Sequence, residues 1–126
     1  MPATKPEDCT ILFGKYVGKG DLDALLSLYD EEATFVRSDR SVHTGLPNIR
    51  KVLEPLAELK PQISMDIFRT VAIGDDLAVL YNNWTMKTAD SGSGSSETTH
   101  QAIEIVRLQA GGSWRYIFDD PFAREK

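Results

Sequence analysis

From Gln62 to Phe118 the chain is four strand-forming runs joined by connections too short to hold a helix. The runs are Gln62–Ile73, Leu77–Lys87, Thr98–Gln109 and Trp114–Phe118. Gly74-Asp75-Asp76 separates the first two, and Ala110-Gly111-Gly112-Ser113 the last two. Between the middle pair, Thr88 to Ser96 is polar and rich in Ser and Gly, which reads as a mobile hairpin loop. Parallel neighbours need a crossover of a dozen residues or more, so these runs form an antiparallel meander.

The meander also constrains what must cover it. In the second run Leu77, Val79 and Tyr81 share one face, and Ala78, Leu80, Trp84 and Met86 the other. In the third, Ile103 and Ile105 oppose Ala102, Val106 and Leu108; in the last, Trp114, Tyr116 and Phe118 oppose Ile117. In the first, Ile63, Met65, Ile67, Val71 and Ile73 share a face interrupted by Arg69. A sheet with one wet face would carry polar residues there. Both faces therefore need cover: helices for one, a second copy of the chain for the other.

The helices precede the meander. Thr4-Lys5-Pro6-Glu7 is a capping-box pattern. Cys9, Leu12, Phe13, Tyr16 and Val17 follow at helical spacing, which predicts a helix over 6–17 ended by Gly18 and Gly20. Asp21 caps a short second helix carrying Leu22, Leu25, Leu26 and Tyr29. The acidic run Asp30-Glu31-Glu32 breaks it, and Ala33–Val36 is a strand. Asp39 and Arg40 make a turn between two short strands, with His43 exposed nearby. Thr44 caps a third helix whose buried face is Ile49, Val52, Leu53 and Leu56, with a kink or early end expected at Pro55.

At 126 residues the chain suits one domain spanning 1–126. A net charge of −5 argues against a nucleic-acid partner, since phosphate binding needs clustered Lys and Arg. No apolar run is long enough to span a bilayer. The N-terminus MPATKPEDC lacks the form of a signal peptide, so the expected compartment is the cytoplasm. One cysteine, Cys9, excludes an internal disulfide and reads as core packing. His43 and His100 lie too far apart to suggest a metal site, and no cofactor motif is present.

The phrases GDLDALLSLYDEEATFV, TGLPNIRKVL, IGDDLAVL and AIEIVRLQAGGSWRYIFDDPF span nearly the whole chain. In them the sequence resembles the NTF2-like superfamily, which includes ketosteroid isomerases and SnoaL-like polyketide cyclases. The resemblance implies an α+β fold: a cone-shaped barrel in which three N-terminal helices pack on a curved, mainly antiparallel sheet. It also implies a cavity between the first helix and the sheet, and a homodimer through the outer sheet face. The isomerase set is only partly present. Its helix tyrosine falls on Phe13, its base on Arg37 or near Asp39, and its strand acid near Glu104.

Glu104 is the most informative polar residue, because a carboxylate inside AIEIV is either paired or at a site. The structural alternative is an ion pair with Arg69, Arg107 or Arg115. Asp119 and His100 complete the candidate catalytic set. The bland readings are a turn for Asp119 beside Asp120 and an exposed strand end for His100. Phe13, Tyr16, Trp84 and Phe118 are the candidate ligand-binding residues; for Trp84 the alternative is plain core packing. The expected function is binding of a small apolar or amphipathic molecule between the first helix and the sheet. The alternative is a cofactor-free isomerase, cyclase or hydratase working by general acid–base catalysis through Glu104.

Overall fold

A computed structural model describes residues 3–90 and 94–124, with the backbone alone at 88–90 and 94–96. The elements run α1 (Asp8–Lys19), α2 (Leu22–Leu26), β1 (Tyr29–Val36), β2 (Val42–Thr44), α3 (Leu46–Leu59), β3 (Gln62–Ile73), β4 (Leu77–Asp90), β5 (Gly94–Leu108) and β6 (Trp114–Asp120). The fold is α+β. One curved, unclosed six-stranded sheet has the order β2-β1-β6-β5-β4-β3. The four-strand meander is antiparallel throughout, and β1 joins it through a parallel pairing with β6.

Local chemistry moves several boundaries. α1 starts at Asp8 rather than Pro6, because the Asp8 Oδ2 reaches back and accepts from the Thr4 and Lys5 amides and the Thr4 hydroxyl. The capping box therefore does not form. The Glu7 carboxylate instead accepts from the Thr70 hydroxyl at 2.8 Å. α1 runs through Gly18 and ends at Gly20, whose φ of 70° is left-handed. A side chain at Gly20 would also sit 3.0 Å from the Ala57 carbonyl oxygen, so this position needs glycine twice over. α3 is capped by Gly45 and not Thr44, which belongs to β2 and pairs its hydroxyl with that of Thr34 at 3.2 Å. Pro55 does not end α3 early. It lies on the exposed side while buried Leu53 and Ala57 hold the helix on to Leu59.

β1 begins four residues before the expected Ala33. Glu31 and Glu32 are exposed on it, so strand formation costs them no hydration. β4 and β5 extend past the expected ends to a pairing of Asp90 with Gly94. The remainder of the expected loop, 91–93, lies outside the described residues.

Two bulges decide which side chains face inward. In β3 the register shifts between Ile67 and Arg69. Ile63, Met65 and Ile67 face the helices, and beyond the bulge Val71 and Ile73 turn outward, so the five do not share one face. Between β5 and β6 the shift falls at Ile105/Val106, opposite Ile117. Tyr116 therefore pairs with inward Val106, while Phe118 pairs with outward Ile105. The core between helices and sheet holds Val17, Leu25, Ile49, Leu53, Leu80 and Val106, all with zero exposure.

Candidate functional site

The inward face of the meander carries polar groups where it meets α1. Asn82, Glu104 and Asp119 are buried there, and Thr10 comes down from the helix. Glu104 and Asp119 are register partners on β5 and β6, which puts two carboxyls side by side. Glu104 accepts from the Thr10 hydroxyl, and a hydrogen bond from Asn82 adds to this. The Thr10 oxygen lies 3.0 Å from the Tyr116 hydroxyl, linking helix, strand and acid. The Tyr29 hydroxyl donates to Asp119 Oδ2 at 2.6 Å. Asp119 Oδ1 is buried and has no hydrogen-bond partner among the described residues.

Arg69, Arg107 and Arg115 do not neutralise this pair. They stand in the outward rows, with Arg107 opposite Arg115 and Arg69 5.6 Å from the ring of Tyr81. The ion pairs among the described residues are Arg40–Asp120, Arg50–Asp23 and Lys87–Glu97. Burial pushes the Glu104 carboxyl up, to about 8, and the charge of Asp119 adds to this against the hydrogen bonds from Thr10 and Asn82. Burial likewise pushes Asp119 up, to about 7, while the Tyr29 hydrogen bond opposes it. Burial also holds the Tyr29 and Tyr116 hydroxyls well above the usual phenol range. At neutral pH the pair therefore keeps at least part of its proton load.

A cavity of about 120 Å³ opens beside the pair. Glu104, Asp119 and Asn82 form its polar end, and Phe13, Phe35, Trp84, Tyr116, Phe122 and the Met65 and Met86 thioethers form most of its wall. The segment after β6 closes against it. The Trp84 indole N–H donates to the Pro121 carbonyl at 2.8 Å, and Arg40 donates to Asp120 at 3.0 and 2.9 Å and to the Phe122 carbonyl at 3.1 Å.

A family model described as SnoaL-like domain matches residues 13–117. The chain belongs to the SnoaL-like domain family, within the NTF2-like superfamily. Solved structures share the fold of this SnoaL-like domain at low identity. A ketosteroid isomerase-like protein from Erwinia carotovora atroseptica SCRI1043 is 17% identical with a TM-score of 0.77, over 90% of this chain and 89% of that one. An NTF-2 like protein of unknown function from Shewanella oneidensis MR-1 is 18% identical with a TM-score of 0.72, over 92% and 98%. The association domain of C. elegans CaMKII is 13% identical with a TM-score of 0.72, over 90% and 88%. No curated protein matches the sequence.

Within this SnoaL-like domain the candidate residues separate into two groups. Glu104, Asp119, Phe13 and Trp84 line one cavity. His100 does not line it; its ring sits behind the wall, 4.7 Å from Trp84 and 4.9 Å from Phe122. Phe118 is turned away by the β6 bulge. Tyr16, one turn beyond Phe13, lines a separate hollow with Ala24, Leu28 and Trp114. Arg37 and Asp39, where the isomerase comparison places a base, lie in the exposed turn before β2. There Asp39 accepts from the Ser41 amide and hydroxyl, and those bonds lower its pKa. His43 is half-buried rather than exposed, with Nε2 2.9 Å from the Ser41 hydroxyl. Among the described residues no cluster of His, Cys, Asp and Glu could hold a metal ion. No described helix is long and apolar enough to cross a membrane.

Sequence reasoning missed Thr10, Tyr29, Asn82 and Tyr116. Thr10 had a signal: it stands at i−3 to Phe13 and i−7 to Val17, a hydroxyl on the apolar stripe of α1. Asn82 had one too, between Leu80 and Trp84 on an otherwise apolar strand face.

Proposed function

We propose that residues 1–126 act as one small-molecule-binding SnoaL-like domain, whose cavity takes a single, largely apolar molecule with its polar group against Glu104 and Asp119. One observation carries this reading: among the described residues Asp119 Oδ1 is a buried carboxylate oxygen with no partner, on a residue that lines an apolar cavity. A buried acceptor left unmade costs about 1–3 kcal/mol, which a ligand donor would recover. Trp84 lines the cavity and so reports on its contents. Small one-ring compounds are expected to change Trp84 fluorescence saturably in the wild type, and Trp84→Phe should remove that signal while a thermal shift persists. Neither signal with any such compound would overturn the reading.

A second reading, a cofactor-free isomerase, cyclase or hydratase, is favoured by the side-by-side pair that keeps protons near neutral pH. One carboxyl can then donate while its neighbour accepts. Under this reading Glu104→Gln abolishes turnover while leaving one-ring compounds bound; under the binding reading it weakens binding.

We further propose a homodimer through the outward sheet face. Phe68, Val71 and Ile73 are 48%, 43% and 49% exposed on it, alongside Val79, Ile105 and Phe118. A stable interface of this kind buries on the order of 800 Å² per partner. Sedimentation at micromolar concentration is expected to give a dimer, and Val71→Glu with Ile73→Lys a monomer. A monomeric wild type would sink the proposal.

A further inference from the structure

The geometry points to a small tertiary amine, bound as the cation, as the ligand class of this cavity, its N–H on Asp119 Oδ1 and its alkyl groups on the aromatic wall. This rests on the binding reading above and adds the chemistry of the molecule bound.

Three observations lead there. Two carboxyls stand in register at the polar end, and among the described residues no lysine or arginine lines the cavity with them. Buried carboxylates are ordinarily paired with a cation or neutralised. Here the described lining supplies no cation, and an anionic ligand would meet two acids. The wall beside the pair is aromatic: Phe13, Phe35, Trp84, Tyr116 and Phe122. Ring faces attract cations, alkylammonium groups above all, whereas a neutral hydrocarbon gains only its area burial there.

The third observation is a count of donors. Tyr29 already donates to Asp119 Oδ2, while Glu104 accepts from Thr10 and Asn82. One buried acceptor, Asp119 Oδ1, is left among the described residues. A protonated tertiary amine brings one N–H. A primary ammonium brings three, of which two would have to go to oxygens that already accept a hydrogen bond or to the apolar wall. A ketone brings none. Size agrees: the cavity of about 120 Å³ is close to the roughly 150 Å³ cavity that holds one benzene ring.

The test is a ranking of one-ring compounds by thermal shift and Trp84 fluorescence on the full chain at pH 7. N-methylpiperidine, cyclohexanol, cyclohexanone and cyclohexanecarboxylate have similar bodies and different polar groups. N-methylpiperidine is expected to bind at least about tenfold more tightly than the other three, the scale of a charge-assisted hydrogen bond with cation–π contact. Asp119→Asn, which keeps the shape and removes the charge, should bring the four to within about twofold; should it not fold, Glu104→Gln is expected to reduce the same preference. Equal or tighter binding of cyclohexanol or cyclohexanone overturns the amine assignment and leaves the binding reading standing. Tightest binding of the carboxylate also overturns it. Failure of all four to bind folded wild type overturns both.

Discussion

Stability is expected to fall as pH rises from about 5 to 8, the reverse of the usual behaviour of carboxylates. Glu104 has an ordinary value of 4.5 and is held near 8 in the fold; Asp119 has 3.8 and is held near 7. Below the ordinary values both states are protonated, and the pair contributes no pH dependence. Above them the unfolded chain has released its protons and the folded chain has not. The folded state then binds more protons, so stability drops with pH until the folded carboxyls also ionise. One proton held only by the fold gives a slope of about 1.4 kcal/mol per pH unit. Denaturant unfolding at fixed temperature across this range measures it. Glu104→Gln removes one of the two titrating groups, so its profile should be clearly flatter and its stability at pH 8 higher than wild type. A wild-type profile that is flat, or that rises with pH, would show that the carboxyls are ionised and compensated in the fold.

The second large effect is at Phe13. It packs in the core at 9% exposure and lines the cavity from the helix side. Phe13→Ala removes most of an aromatic ring from a site framed by β-strands that cannot collapse inward. A cost of about 3–5 kcal/mol is expected, together with a larger cavity. The variant should lose affinity for one-ring compounds and gain it for two-ring ones, because a larger body refills the space. A loss of less than about 1 kcal/mol with no change in size preference would show that Phe13 stands outside the binding volume.

The meander was legible because alternation and turn residues are local signals. Gly74-Asp75-Asp76 and Gly111-Gly112 mark two of its turns in any reading of the chain. Parity alone also separates Glu104 from Arg107, three residues on and hence on the other face, which removes one ion-pair partner without any coordinates. The bulges were not legible. IFRTVAI has no glycine or proline to announce an extra residue, yet the shift there sends Val71 and Ile73 outward. The shift beside Ile117 likewise separates Tyr116 from Phe118 and brings Asp119 beside Glu104. Glu104 could be singled out from its own neighbours. Its partnership with Asp119 is a property of strand register, and the Tyr29 hydrogen bond depends on a parallel pairing between strands some eighty residues apart. Neither is encoded in a window short enough to read by pattern.

Cys9 has a use unconnected with the cavity. The thiol is fully enclosed, its Sγ donates to the Trp114 carbonyl at 3.3 Å, and burial pushes its pKa up to about 12. In the closed fold it presents neither a thiolate nor an access route to a reagent. Any alkylation at neutral pH must then pass through a state in which α1 has left β6. Because the sequence has a single cysteine, the labelling rate carries one exponential from one place. When closing is fast relative to alkylation, that rate divided by the rate for an unstructured thiol is the equilibrium constant for opening this contact.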